Sequence, residues 1–108
     1  MTDWIELIRD CFAEDRVLYS SHALSEMKNE EFGCITDKEI EESIGNGRII
    51  ELYPADEPYP SCLIYGKTGC DRPIHAVCAV SEKEHLCIIV TAYQPDPERW
   101  EQFERRKP

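Results

Sequence analysis

The sequence is short of the patterns that announce chemistry. Its 108 residues contain no Gly-rich phosphate loop, no H-E-x-x-H, no G-x-S-x-G and no C-x-x-C pair, so the mechanisms that those motifs serve have no sequence support. No apolar run approaches the roughly 18 to 20 residues of a membrane span. The start, Met1-Thr2-Asp3-Trp4, lacks the basic and apolar stretches of a signal peptide. The expectation is a cytoplasmic protein with no membrane partner. Basic residues are also scarce, 12 against 22 acidic ones, for a net charge of −10. A uniformly acidic surface repels nucleic acid and the bulk membrane surface, which excludes a general DNA- or RNA-coating role and any direct role on DNA. It leaves room for an enzyme with one local basic cleft, and it suits a protein whose partner is basic.

What is present describes one ordinary globular domain spanning residues 1–108, with 42% hydrophobic and 31% charged residues. Six cysteines are spread singly along it. Cys62, Cys78 and Cys87 lie inside apolar strand-like runs, where free cysteine behaves as a small hydrophobe, so reduced thiols are expected. Cys70 and His75 are the one pair in loop-to-strand range for a zinc site, and the reading adopted is that no metal and no cofactor is bound.

Two apolar runs dominate the C-terminal half, Pro73–Val80 and His85–Tyr93, separated by the polar Ser81-Glu82-Lys83-Glu84. They predict a β-hairpin, and because nearly every position is apolar, both of its faces should be covered. Three polar side chains interrupt it: His75, Thr91 and Tyr93. Each needs a partner, a solvent opening or a job. Register decides which of them meet. With Val80 opposite His85, His75 faces Val90; a one-residue change in the turn puts it opposite Thr91.

Upstream, Trp4, Ile5, Leu7, Ile8, Cys11 and Phe12 recur at amphipathic helical spacing after Thr2 or Asp3 as N-cap, and Leu18-Tyr19 reads as a short extended link. Ser20 can cap a second helix, with Ala23, Leu24 and Met27 on its apolar face and His22 in its first turn, where the helix dipole favours the neutral imidazole. Thr36 and Glu39 have capping-box spacing flanked by Ile35 and Ile40, which starts a third helix that ends near Gly45-Asn46-Gly47. Arg48–Tyr53 and Ser61–Gly66 read as strands around the proline-rich Pro54–Pro58 loop. Asp96 and Pro97 predict a last helix that docks Trp100 and Phe103 on the sheet. The expected fold is α+β: N-terminal helices packed on a four-stranded antiparallel meander, closed by a C-terminal helix.

RNA cleavage without a metal needs a base for the 2′-hydroxyl, an acid for the leaving oxygen and a cation for the phosphoryl charge. His22 and His75 could serve as the acid–base pair, with Thr91 and Tyr93 beside them and Arg48, Arg72 and Lys67 as phosphate contacts. A tyrosine can also stack on a base. The same residues could equally be buried polar groups bonded to backbone.

The phrases Tyr19-Ser-Ser-His22-Ala, Ile49-Ile-Glu-Leu-Tyr-Pro54, Tyr59-Pro-Ser-Cys-Leu-Ile64, Pro73-Ile-His75-Ala-Val-Cys-Ala79 and Thr91-Ala-Tyr93-Gln-Pro-Asp-Pro-Glu-Arg-Trp100 resemble the bacterial and archaeal domain-of-unknown-function 4258 family over roughly residues 17 to 106. That family is thought similar to RelE-like and MqsR-like toxins, small α+β ribonucleases that cleave messenger RNA. The resemblance implies a RelE-like fold and a toxin-like, metal-independent endoribonuclease of a toxin–antitoxin pair. RNA would be its substrate, and a small zinc-ribbon antitoxin-like protein its partner. By position it picks out His22, His75, Thr91 and Tyr93. The alternative is a non-catalytic interaction module that keeps the fold, with an acidic surface and a contact patch around Tyr53, Tyr59 and Tyr65.

Overall fold

The computed structural model describes residues 3–108. Helix α1 (Trp4–Ala13) is followed by strand β1 (Val17–Tyr19), helices α2 (Ser21–Lys28) and α3 (Asp37–Gly45), and strands β2 (Arg48–Tyr53), β3 (Ser61–Lys67), β4 (Pro73–Ser81) and β5 (Leu86–Tyr93). Two short strands, β6 (Trp100–Glu101) and β7 (Arg105–Arg106), close the chain.

Each helix starts where a short polar side chain can take an orphan backbone N–H. Asp3 caps α1 through the Ile5 N–H; the other expected cap, Thr2, lies outside the described residues. Ser20 caps α2 through the Ala23 N–H at 3.0 Å. Thr36 and Glu39 close a reciprocal capping box at the start of α3. The helices bury Ile8 and Cys11, Ala23 and Met27, and Ile40 and Ile44 in one core. Burial of each large aliphatic side chain there contributes about 1.5 to 3 kcal/mol.

The sheet is mixed and five-stranded, in the order β1-β5-β4-β3-β2, with β1 parallel to β5 and the other pairs antiparallel. The expected four-stranded antiparallel sheet is therefore corrected. Val17–Tyr19, read as a link, joins the edge: the ladder is extended by Cys87 N–H to Arg16 O at 3.1 Å and Ser20 N–H to Ile89 O at 2.9 Å. Three residues carry too little periodicity to announce a strand; pairing with β5 makes it one.

The expected C-terminal helix is also corrected. Asp96 does start a turn, accepting the Arg99 and Trp100 N–H groups on its carbonyl and the Glu98 N–H on its side chain. The turn goes no further: Trp100–Glu101 is already extended as β6, and Gln102 and Phe103, with φ of 53° and 62°, left-handed values that a helix does not accommodate, turn the chain after it. The chain instead folds back as the β6–β7 hairpin.

The hairpin register is the third correction. His85 leaves the strand for the turn, with φ 51°, and Ser81 pairs with Leu86. A β-bulge at Val90 then adds another residue, so His75 lies opposite Tyr93, not Val90 or Thr91.

Alternation splits the sheet cleanly. Ile74, Ala76, Cys78 and Val80 of β4 enter the core beneath the helices. Their neighbours His75, Val77 and Ala79 point to the other, outer face. Glycine is required where α3 meets the sheet: a Cβ on Gly66 would run into the Ser43 carbonyl.

Candidate functional site

On the outer face the register sets one row across four strands, Tyr93–His75–Tyr65–Arg48. His75 is fully buried, at 0% exposure. Its Nε2 lies 2.6 Å from the Phe103 carbonyl oxygen and its Nδ1 3.1 Å from the Tyr93 hydroxyl. A carbonyl can only accept, so Nε2 carries the proton and Nδ1 accepts from Tyr93. The Trp100 ring meets the imidazole edge-on at 4.4 Å, with Tyr93 and Tyr65 at 5.3 and 5.7 Å. Burial pushes the His75 pKa down to about 4, against the opposing pull of the Phe103 carbonyl and of Glu51. Burial likewise pushes Tyr93 up to about 12. At neutral pH both are uncharged.

A second cluster lies beside it. Arg106 makes a two-point ion pair with Glu51, at 3.1 and 3.2 Å, and its guanidinium carbon sits 4.7 Å from the Trp100 ring centroid. Tyr53 also donates to Glu51. Burial disfavours the Glu51 carboxylate, but the hydrogen bonds from Arg106 and Tyr53 hold its pKa below the usual value.

The other expected residues go elsewhere. The Thr91 hydroxyl donates to Glu26 Oε1, the same oxygen that accepts the Ala92 N–H at 3.3 Å and lies 3.4 Å from His22 Nε2. The structure thus makes two pairs from the four expected catalytic residues: His75 with Tyr93, and His22 with Thr91 through Glu26. His22 stands on α2, whose Ala23 and Met27 enter the helix-side core, while His75 lies on the opposite face of the sheet. Arg72 is a staple: it donates to Gln94 Oε1 at 2.7 Å, Cys34 O at 3.1 Å and Glu39 Oε2 at 3.2 Å, and also to Gly33 O. Lys67 pairs with Asp71 at 3.5 Å in the β3–β4 turn. Arg48 pairs with Glu104 and lies 5.8 Å from the Tyr65 ring centroid.

An open cleft of about 650 Å³ lies between the loop after α2 and the C-terminal segment. Tyr93 and Trp100 line it, with Phe32, the acidic Glu30, Glu31, Asp96 and Glu98, and the basic Arg99, Arg106 and Lys107. Its charge is mixed. Trp100, Phe103, Glu26 and Glu51 were not among the expected site residues, whereas Arg106 belongs to the basic tail Arg105-Arg106-Lys107 expected to offer phosphate contacts. Trp100 and Phe103 carried a signal, as the docking face of the last helix, but nothing local assigns a backbone carbonyl to His75. Among the described residues, no group of three or more His, Cys, Asp or Glu side chains is placed to hold a metal ion. No helix there is long and apolar enough to cross a membrane.

The fold and site define a small α+β domain, a helix-backed mixed sheet with a buried histidine under a C-terminal hairpin. The family model for a domain of unknown function, DUF4258, matches residues 19–94, and the chain belongs to that family. No curated protein and no solved structure matches it. The matched span takes in His22, His75, Thr91 and Tyr93 and stops before the hairpin that covers His75.

Proposed function

We propose that the chain is a non-catalytic protein-interaction module with an acidic surface, whose partner carries positive charge. The observation that carries this reading is how the reactive groups are bonded. Both ring nitrogens of a fully buried His75 bond within the fold, Arg72 and Arg106 are tied to internal acceptors, and Thr91 is held by Glu26. Groups that attack or protonate a substrate must reach it; these hold the fold together. The net charge of −10 favours a basic partner. The small zinc-ribbon protein implied by the family resemblance is one candidate. Purified chain incubated with end-labelled RNA in the presence of a chelator should leave the RNA intact. Induced expression in a bacterial host should leave growth unchanged.

A second reading is the toxin-like, metal-independent endoribonuclease of messenger RNA, paired with an antitoxin. One observation favours it: Tyr93 shares its cleft with Arg99, Arg106 and Lys107, an acid beside cations. RNA cleavage by the wild type that Tyr93→Phe abolishes, with the variant folded, would replace the first reading by the second.

A further inference from the structure

The helices pack on one face of the sheet, and the C-terminal hairpin packs on the other around the His75 row. Further along the strands, the register aligns Leu18, Ile88 and Ala79 in a row across β1, β5 and β4. These belong to the outer face: their chain neighbours Val17, Cys78, Val80, Cys87 and Ile89 are the residues packed in the helix-side core. Leu18 is 56% exposed and Val90, at the bulge, 37%; Ile88 and Val77 are half-buried. The strip is apolar, with Leu18 and Val90 open to solvent at its edge and Ala79, at 8% exposure, as its buried floor.

Its dimensions point to an occupant. Three neighbouring strands span two inter-strand spacings of about 4.8 Å each, so the strip is about 10 Å wide. That is the diameter of one α-helix with its side chains, about 10 to 12 Å, and helices already cover the sheet's opposite face. Charge narrows the choice further. Glu82 and Glu84 stand with Lys83 in the β4–β5 turn, Glu14 reaches that turn through its 2.7 Å pair with His85, and Arg16 is held there by the Glu84 carbonyl at 2.9 Å, so the carboxylates outnumber the cations. A second copy of this chain would bring −10 against −10, which self-repulsion opposes. A cationic partner meets no such penalty.

We propose that the strip formed by Leu18, Ile88, Val77 and Val90 docks an amphipathic helix of a basic partner protein. The helix lays its apolar stripe on the sheet and turns lysine or arginine side chains toward Glu14 and Glu84. The assignment rests on the interaction-module reading.

The test is fluorescence anisotropy with three labelled 18-residue peptides: an amphipathic Leu/Lys helix, a scrambled peptide of the same composition, and an amphipathic Leu/Glu helix. The full chain is compared with Leu18→Glu, Val90→Glu and Leu52→Glu. Leu52, 61% exposed, pairs with Cys62 of the helix-side core and so lies on the other face. All three variants add the same negative charge, which by itself would attract the Leu/Lys peptide. Wild type should bind Leu/Lys more tightly than either other peptide, and Leu18→Glu and Val90→Glu should each weaken that binding roughly tenfold. Leu52→Glu should leave it unchanged. Equal binding of the scrambled or Leu/Glu peptide, or an equal loss in Leu52→Glu, overturns the assignment. A wild-type dimer in sedimentation velocity that Leu18→Glu dissociates replaces the partner helix with a second copy. No binding of any peptide, with RNA left intact, removes the strip while leaving the module reading in place; RNA cleavage removes the module reading itself.

Discussion

His75 should make the fold sensitive to mild acid, because burial lowers its pKa from 6.5 to about 4. The charged form is favoured less in the folded chain than in the unfolded one. Between those two values the unfolded chain therefore binds a proton that the folded chain refuses, and stability falls as pH falls. Above 6.5 the contribution is constant, and below about 4 the loss levels off. The full difference is about 3 kcal/mol, and between pH 7 and pH 5 it comes to about 2 kcal/mol. That is a large share of the stability of a domain this size. Urea unfolding, followed by the fluorescence of Trp100 against the imidazole, reads it directly. The midpoint should drop by about 1 M between pH 7 and pH 5 beyond whatever His75→Gln shows over the same interval. Groups common to both proteins, the many carboxylates included, cancel in that difference. The sequence holds three histidines, so proton NMR can also assign the His75 ring and follow it alone. Parallel pH slopes in the wild type and His75→Gln, or a His75 ring that titrates near 6.5, would refute the buried, neutral imidazole on which the site description depends.

Three further outcomes test the packing. Cys34 and Cys70 are exposed, while Cys11, Cys62, Cys78 and Cys87 are buried; burial pushes Cys11 up to about 11 and Cys62 up to about 12. Ellman's reagent at neutral pH should titrate two thiols quickly and the other four only on unfolding. A Cβ on Gly45 meets nothing within 4 Å, so Gly45→Ala near the end of α3 should stabilise the chain by about 0.5 to 1 kcal/mol. Gly66→Ala should fail to fold stably, because its Cβ would lie 2.6 Å from the Ser43 carbonyl carbon and closer still to its oxygen; thermal melts of the two variants separate these cases.

The features legible in the sequence are those that a few neighbouring residues decide. Thr36 and Glu39 announce the start of α3 because both halves of a capping box lie within one turn, and Ser20 announces α2 for the same reason. Strand β1 was not legible: three residues carry no period, and only β5 makes them a strand. The hairpin register was not legible either, since the bulge at Val90 lies where β5 runs past β1 and loses its edge partner. From there its N–H groups turn to side chains before and just after the end of α2, Ala92 to Glu26 at 3.3 Å and Gln94 to Glu30 at 2.8 Å. The C-terminal segment shows local preference overruled. Asp96 and Pro97 are proper helix-starting chemistry, but the chain packs Trp100 on His75 and presents the carbonyl of a left-handed Phe103 to Nε2.

The three polar residues that interrupt the apolar hairpin test how far such reading reaches. Apolar strands cannot carry His75, Thr91 and Tyr93 without a partner, an opening or a job, and that demand is local enough to read from sequence. The supplier is not. His75 is satisfied by a carbonyl 28 residues later in the chain, and Thr91 by a carboxylate 65 residues earlier. Tyr93 donates to His75, its directly opposite neighbour only because of the bulge. A partner found inside the fold answers the demand that otherwise argues for catalysis, so the polarity of this hairpin is explained without a substrate. What the fold leaves unanswered is apolar instead: Leu18 and Val90 stand on a sheet face that a small, highly charged domain has reason to cover. That is what favours the proposed interaction reading over the two-histidine reading.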